Sequence, residues 1–353
     1  MPPRQDDPAL EALLFPFLTG RLPWPMAGAL FLRARAGYGM VPSAWPGLVC
    51  EQSFRPDAHA LERAGFSVNP PDEDTYPLVL TLPPRQREEA RALLARAVTR
   101  VEGKDGVVIA SVPNAEGAKA IEADLARLAG PVSTLSKHKC RVFWARPNAG
   151  GGDASLAGQW LALDAPRPIL QGTALEGRFI SRPGVFAWDR IDPASELLAQ
   201  HLPTHLSGRA ADLGAGWGFL SDALLRRCPG ITSLHLYEAE ARALELAEAN
   251  LAPHASRVAL DFHWHDVAAG LPDRYDVIVS NPPFHGPGRA ARPDIGRAFI
   301  AAAARALVPG GTLWLVANRQ LPYEQALGEG FAEVQTLAQE RGFKVVRARR
   351  AGR

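Results

Sequence analysis

A nine-residue stretch recurs in this chain at a separation of 199 residues, and the recurrence restricts the fold more than any other feature of the sequence. Tyr76-Pro77-Leu78-Val79-Leu80-Thr81-Leu82-Pro83-Pro84 lies over Tyr275-Asp276-Val277-Ile278-Val279-Ser280-Asn281-Pro282-Pro283, tyrosine on tyrosine, three apolar residues on three, both prolines on both. Further pairs keep chain order: Ala36-Gly37-Tyr38-Gly39 with Ala215-Gly216-Trp217-Gly218, Glu51 with Glu238, Asn114 with Asn318, and Arg141-Val142 with Lys344-Val345. Their separations differ, which places insertions between corresponding elements. The two halves therefore read as two copies of one fold.

Val277 to Val279 is an apolar, β-branched run suited to a strand buried on both faces of a parallel sheet. The double proline ends it, because neither ring nitrogen can donate to a ladder. Asn281 is thereby delivered to a strand's carboxyl end, where open α/β sheets hold ligands. In the first half the pattern predicts helices over residues 8–18, 57–64, 85–101 and 117–128. Strands are expected over residues 29–32, 48–51, 107–110 and 140–144 and before the first double proline. Strands alternating with helices imply α/β architecture with a parallel sheet. Three consecutive glycines, Gly150 to Gly152, mark a joint. The expected layout is a first domain over 1–147, a Gly-rich linker and connecting segment over 148–170, and a second domain over 171–353.

A chain of 353 residues suits two domains with cores of ordinary size. No apolar run approaches the roughly 20 residues of a membrane span, and the first residues lack a signal-peptide pattern. A soluble, cytoplasmic protein without membrane contact is expected. Cys50, Cys140 and Cys228 are too few and too far apart for a disulfide framework or a CxxC metal site, so buried thiols and no metal are expected. A net charge of +2 does not by itself argue for nucleic acid. Arg289, Arg292 and Arg297 follow the proline corner, and Lys344, Arg347, Arg349, Arg350 and Arg353 crowd the end of the chain. Those clusters suit either a solvated surface or phosphate contact.

In the second half Asp192-Pro193 reads as a helix start, with Asp192 as cap. Beyond it, Asp212-Leu213-Gly214-Ala215-Gly216-Trp217-Gly218 joins an acid at a strand end to a glycine turn. Glu238 stands at the tip of a second strand, where such folds grip ribose hydroxyls, and Asp266 follows a third. Three such acids point to a nucleoside pocket. Phosphate cradles use G-x-G-x-x-G or G-x-x-x-x-G-K-[ST] spacing. Here the spacing is G-x-G-x-G with an acid beside it and no lysine after it, which suits a cation. S-adenosylmethionine carries an ammonium and a sulfonium and no phosphate. Asp212, Gly214, Gly216, Glu238, Asp266 and Asn281 are the candidates to hold it.

These residues, with Leu307-Val308-Pro309-Gly310-Gly311 and Val316 to Tyr323, resemble the class I S-adenosylmethionine-dependent methyltransferases that modify exocyclic amines. Within that class the chain is similar to the bacterial ribosomal RNA guanine-N2 methyltransferases, above all those of the small subunit. The resemblance implies two tandem Rossmann-like domains and transfer of methyl to guanine N2 in small-subunit rRNA. An aromatic amine is a poor nucleophile because its lone pair is delocalised. Asn281 and Pro282 offer carbonyl acceptors for its N–H groups, and Phe284 can stack on the base. His285, Arg289 and Arg292 are candidate RNA contacts, whereas His263 and His265 read as packing. The expected partner is ribosomal RNA or the small subunit, met by a monomer.

In the sequence pairing, Arg33 stands where Asp212 stands, Arg35 replaces Gly214, and Leu82 replaces Asn281. The first copy is therefore expected to be degenerate, without cofactor binding or catalysis. The alternatives are large-subunit N2-guanine methylation, an N6-adenine or glutamine methyltransferase, and a non-catalytic RNA-binding assembly factor. The adenine and glutamine enzymes more often carry tyrosine at the position of Phe284.

Overall fold

The apolar runs of the repeat become the central strands of two separate sheets. The structure, a computed structural model, describes residues 7–37, 39–283 and 293–352. One unit comprises Met1–Ala165 with Arg182–Gly184, the other Pro166–Ser181 with Val185–Arg353. In the first lie α1 (Pro8–Leu18), β1 (Ala29–Leu32), β2 (Leu48–Glu51), α2 (Arg55–Arg63), β3 (Ser67–Val68) and β4 (Leu78–Thr81). They are followed by α3 (Arg87–Thr99), β5 (Val107–Pro113), α4 (Ala118–Ala129), β6 (Ser133–Lys137), β7 (Cys140–Ala145) and α5 (Ala154–Leu161).

The second unit opens with a small antiparallel pair, β8 (Arg167–Pro168) and β9 (Ile180–Ser181). It continues through α6 (Pro193–His201), β10 (Ser207–Leu213), α7 (Phe219–Arg227), β11 (Gly230–Glu238), α8 (Ala241–Leu251), β12 (Ala259–Trp264) and β13 (Tyr275–Ser280). Then come α9 (Pro293–Ala306), β14 (Leu307–Asn318), α10 (Glu324–Gly330), β15 (Glu333–Glu340) and β16 (Phe343–Arg349). The first sheet has the order β3-β2-β1-β4-β5-β7-β6 and the second β12-β11-β10-β13-β14-β16-β15. The two orders are the same path through seven strands. Two Rossmann-like α/β units of one topology follow.

Neither sheet is wholly parallel, which corrects the expectation from strand and helix alternation. β7 runs antiparallel to both β5 and β6, as β16 does to β14 and β15. β6 escapes a reading by hydrophobicity because it is a polar edge strand, Ser133-Thr134-Leu135-Ser136-Lys137, with no fully buried residue. The turn into β7 places His138 and Lys139 at φ of 51° and 58°, the paired left-handed geometry that matches hairpin twist.

Residues 148–165, read from sequence as linker, belong to the first unit. Asp153 caps α5 by accepting from Leu156 N at 2.9 Å, and Trp160 is buried with the Arg91 guanidinium 4.9 Å from its ring centroid. The glycines permit close backbone approach rather than freedom: a Cβ on Gly151 would stand 2.9 Å from the Cα of Gly130.

The ladders also revise which residues of the two copies correspond. β4 keeps its pairing with β13, but Phe31 lies opposite Leu80 where Asp212 lies opposite Val279. Phe31, not Arg33, therefore takes the place of Asp212, and Arg33 takes that of Gly214. Both of the latter are left-handed, at φ 59° and 75°. Gln52, not Glu51, takes the place of Glu238, since each side chain accepts from the backbone N–H two residues on, Phe54 or Glu240, at 2.9 Å. The sequence match followed an Ala-Gly-aromatic-Gly identity across turns of different outcome. In the second unit that turn runs directly into α7, and in the first it does not.

Apolar clusters cover both faces of each sheet. On β13, Val277 and Val279 face one cluster and Ile278 the other, so the strand beneath Asn281 is clamped from two sides. Ile278→Ala is expected to lower unfolding stability by about 2–5 kcal/mol, measured by chemical denaturation of the full chain.

Candidate functional site

The parallel strands β12, β11, β10 and β13 bring their carboxyl ends to one edge of the second sheet. Asp212, in the penultimate position of β10, is buried; its Oδ2 accepts from Ser221 Oγ at 2.7 Å and its Oδ1 has no partner among the described residues. Glu238 ends β11 and accepts the backbone N–H of Gly216 at 2.7 Å through Oε2. The acid at the second strand tip thus holds the turn from the first. Gly214 and Gly216 sit at φ 75° and 56°, where side chains are strained. A Cβ on Gly216 would meet no described atom within 4 Å, so the turn opens onto free space there. Asp266 is half-buried and caps a short turn, accepting from Ala268 N at 3.0 Å.

Asn281 follows β13 directly. Its Nδ2 donates to Asp192 Oδ2 and to Ser195 Oγ, each at 2.8 Å, while its Oδ1 is buried without a partner among the described residues. Asp192 is the N-cap of α6 and accepts from Ser195 N at 2.9 Å as well. Ser280 Oγ donates to Leu213 O at 2.7 Å, fastening the ends of β13 and β10 to each other. Pro282 is buried and Pro283 exposed. The arrangement combines an acid-lined, open glycine turn with a fixed carbonyl that lacks a donor. Such a site suits a cationic, hydroxyl-bearing ligand beside a group with N–H to donate.

Phe284, His285, Arg289 and Arg292 lie outside the described residues. His263 stacks on Tyr237 at 4.5 Å between centroids, and His265 Nε2 lies 2.6 Å from Gly270 O, which is packing as expected. The three cysteines are buried. Of the basic cluster near the end of the chain, Lys344 is buried and donates to Leu321 O at 3.2 Å, and Arg349 pairs with Glu333 at 3.1 Å. Among the described residues no group of three or more His, Cys, Asp or Glu is placed to hold a metal, and no helix is long and apolar enough to cross a membrane.

Sequence reasoning missed Ser195, Ser221 and Asn250. Asn250 is buried in α8 and ties β9 to the glycine turn, exchanging hydrogen bonds with Ile180 at 2.8 and 3.0 Å and donating to Trp217 O at 2.8 Å. For Ser195 a signal was present: Asp192-Pro193-Ala194-Ser195-Glu196 recurs as Asp7-Pro8-Ala9-Leu10-Glu11.

Residues 176–347 match the family "Methyltransferase small domain". Two curated relatives named Ribosomal RNA small subunit methyltransferase C, from Escherichia coli O7:K1 and Klebsiella pneumoniae, are 40% identical over 166 and 165 residues. Each alignment covers 47% of this chain and 47% of the relative, so the match spans about half the length of these proteins. Among solved structures, the T. thermophilus 16S rRNA N2 G1207 methyltransferase (RsmC), in complex with AdoMet and guanosine, is similar to almost the whole chain. Its TM-score is 0.77 at 26% identity, covering 94% of this chain and 90% of that one.

Ionisation separates the two acids of the pocket from ordinary carboxyls. Burial pushes Asp212 up to about 7, opposed by the Ser221 hydroxyl and reinforced by the Glu238 carboxylate. Burial also raises Glu238, against the N–H groups of Glu240 and Gly216. Since Asp212 keeps its proton in the folded state to a higher pH than in the unfolded chain, its contribution to stability falls as pH rises from about 4 to about 7. Asp212→Asn should therefore stabilise the ligand-free protein at pH 8, on the order of 1–3 kcal/mol, with little effect near pH 4. Urea midpoints at both pH values check this.

Proposed function

We propose that this chain, whose residues 176–347 match the methyltransferase small domain family, transfers the methyl group of S-adenosylmethionine to the exocyclic N2 amine of a guanine in small-subunit ribosomal RNA. The observation that carries this reading is the Oδ1 of Asn281, without a partner among the described residues and held at the strand end beside an acid-lined open turn. The T. thermophilus protein, described in complex with AdoMet and guanosine, supports the choice of cofactor and base.

The residues fit the cofactor. The Oδ1 of buried Asp212, without a partner among the described residues, offers an acceptor to a cationic group, Glu238 stands where ribose hydroxyls are gripped, and the bare face of Gly216 leaves room for close approach. Asp266 borders the same edge. When bound, S-adenosylmethionine supplies a methyl group activated by its sulfonium. The chain's own part is positioning. Asn281 Oδ1 and the Pro282 carbonyl accept the two N–H groups of the amine, so that its lone pair turns out of conjugation and toward the methyl group. Pro283 stiffens the corner and has no N–H to compete. The methylated amine is acidic enough to lose its proton to water, so the mechanism asks for no strong base. Orientation of this kind can account for several orders of magnitude in rate.

Phe284 supplies a stacking face for the base, with His285, Arg289 and Arg292 as further RNA contacts. A target guanine in folded RNA must first leave its stack. The second unit is the catalytic domain. The first has Phe31 for Asp212, Arg33 for Gly214 and Leu82 for Asn281, and so neither holds the cofactor nor accepts an amine. The working setting is the cytoplasm, where a monomer meets the small subunit or its RNA.

Labelled S-adenosylmethionine, offered with unmodified small subunits, large subunits, free RNA and protein, is expected to label small-subunit RNA as N2-methylguanosine. Absence of that nucleoside from every RNA defeats the reading. Asn281→Ala should lower kcat at least about 100-fold with cofactor affinity by calorimetry nearly unchanged. Glu238→Ala should instead weaken cofactor binding by roughly 10- to 100-fold.

A further inference from the structure

An amide side chain does not fix its own orientation. Its carbonyl and amino ends are nearly equal in size, and turning it over would present a donor where the reaction needs an acceptor. Around Asn281 the chemistry of the neighbours removes that freedom. The carboxylate of Asp192 has no proton to give, so only the amide nitrogen can face it, and the Ser195 hydroxyl accepts from the same nitrogen. Both are rigid by virtue of α6, whose first turn is closed by the Asp192 cap on Ser195 N. With Nδ2 committed to both partners, Oδ1 is turned away from them and has no partner among the described residues.

The first unit supplies an internal control. Its α1 begins with the same Asp-Pro-Ala-x-Glu sequence, and Asp7 caps it by accepting from Leu10 N at 3.2 Å. α1 packs on β5 and β7 as α6 packs on β14 and β16. Glu11 faces His138 in the β6–β7 turn at 3.6 Å, as Glu196 faces Arg341 in the β15–β16 turn at 3.8 Å. The helix start is therefore a shared part of the fold. Two positions differ together: Ser195 becomes Leu10 and Asn281 becomes Leu82, both buried in one apolar cluster. The other oxygen of Asp7 is ion-paired with Arg35, 3.1 Å from its Nε. Had the serine served only the helix, nothing would tie its loss to that of the asparagine.

We infer that Asp192 and Ser195 are positioning residues that hold the Asn281 amide with its carbonyl toward the substrate amine. The inference rests on the reading that Asn281 accepts from that amine. Ser195→Ala should lower kcat about 10-fold with cofactor affinity and thermal midpoint unchanged, and Ser195→Thr should restore most of the loss. Asp192→Asn retains a capping residue but can offer an amino group to Asn281, and should cost more in kcat than Ser195→Ala. In an Asn281→Ala background, Ser195→Ala should add nothing.

A second readout needs no turnover: hydrogen exchange of the Asn281 side-chain amide, followed by NMR, should be slow in the native chain and fast in Ser195→Ala. If the native protein methylates no RNA while this protection is lost in the variant, the proposed function falls and the grip stands. If methyl transfer occurs but neither kcat nor protection responds to Ser195→Ala, or the two losses multiply in the double variant, the positioning role is overturned.

Discussion

A side-chain amide held, among the described residues, by its nitrogen alone is the constraint to which the architecture of the second unit is answerable. Two hydrogen bonds of 2.8 Å from Asn281 Nδ2 require a carboxylate and a hydroxyl on the first turn of α6 to meet the end of β13. That meeting depends on the parallel pairing of β13 with β10, and on the packing of α6 against β14 and β16. The prolines that follow prevent the strand from continuing past the point where the amide is needed. A buried acceptor left without a donor costs about 1–3 kcal/mol, and the surrounding apolar clusters are what allow the fold to carry that cost.

The same logic governs Asp212. A carboxyl buried at a strand end, with the Ser221 hydroxyl on one oxygen, is destabilising when ionised, and its rise to about 7 expresses that penalty. Glu238, close enough to reinforce the rise, is partly relieved by the N–H groups of Gly216 and Glu240. Two acids that repel each other around an open turn form a site whose charge is balanced only by a cation. The pocket's affinity and its cost to the ligand-free fold have one origin. A phosphate-bearing ligand would deepen the strain that a sulfonium and an ammonium relieve.

Much of this was legible before any coordinates. The repeat implied two units of one fold, and the acids read from the sequence as a nucleoside pocket lie at one edge of the second sheet, Asp212 and Glu238 at the ends of β10 and β11 and Asp266 beyond β12. What escaped had physical causes. β6 is a polar edge strand with no buried face for periodicity to reveal. The triple glycine resembled a flexible joint because composition cannot distinguish freedom from close backbone contact, and Gly151 against Gly130 is the latter. The pairing of Arg33 with Asp212 followed residue identity through a turn, whereas ladders fix register by hydrogen bonds and gave Phe31 instead. Ser195 escaped because a serine three residues past a cap is ordinary; its partner stands 86 positions away in sequence.

The duplication separates what the fold requires from what the chemistry requires. Strand order, the hairpin at the far edge and the capped helix that touches it survive in both copies, together with the acidic residue facing that hairpin turn. None of these distinguishes the units, so none accounts for a difference between them. Asp212, Gly214, Glu238, Ser195 and Asn281 are replaced by Phe31, Arg33, Gln52, Leu10 and Leu82, and each replacement removes an acceptor, a charge or a bare backbone. In the first copy Leu10 fills space at the turn after β1, its Cδ2 2.6 Å from where a Cβ on Gly37 would stand. At three of the five positions, Phe31, Leu10 and Leu82, the first copy has apolar side chains packed in one cluster where the second has polar groups, the direction that stability alone would choose. The second copy has kept polar groups that stability disfavours, and the proposed reaction supplies a reason for their retention.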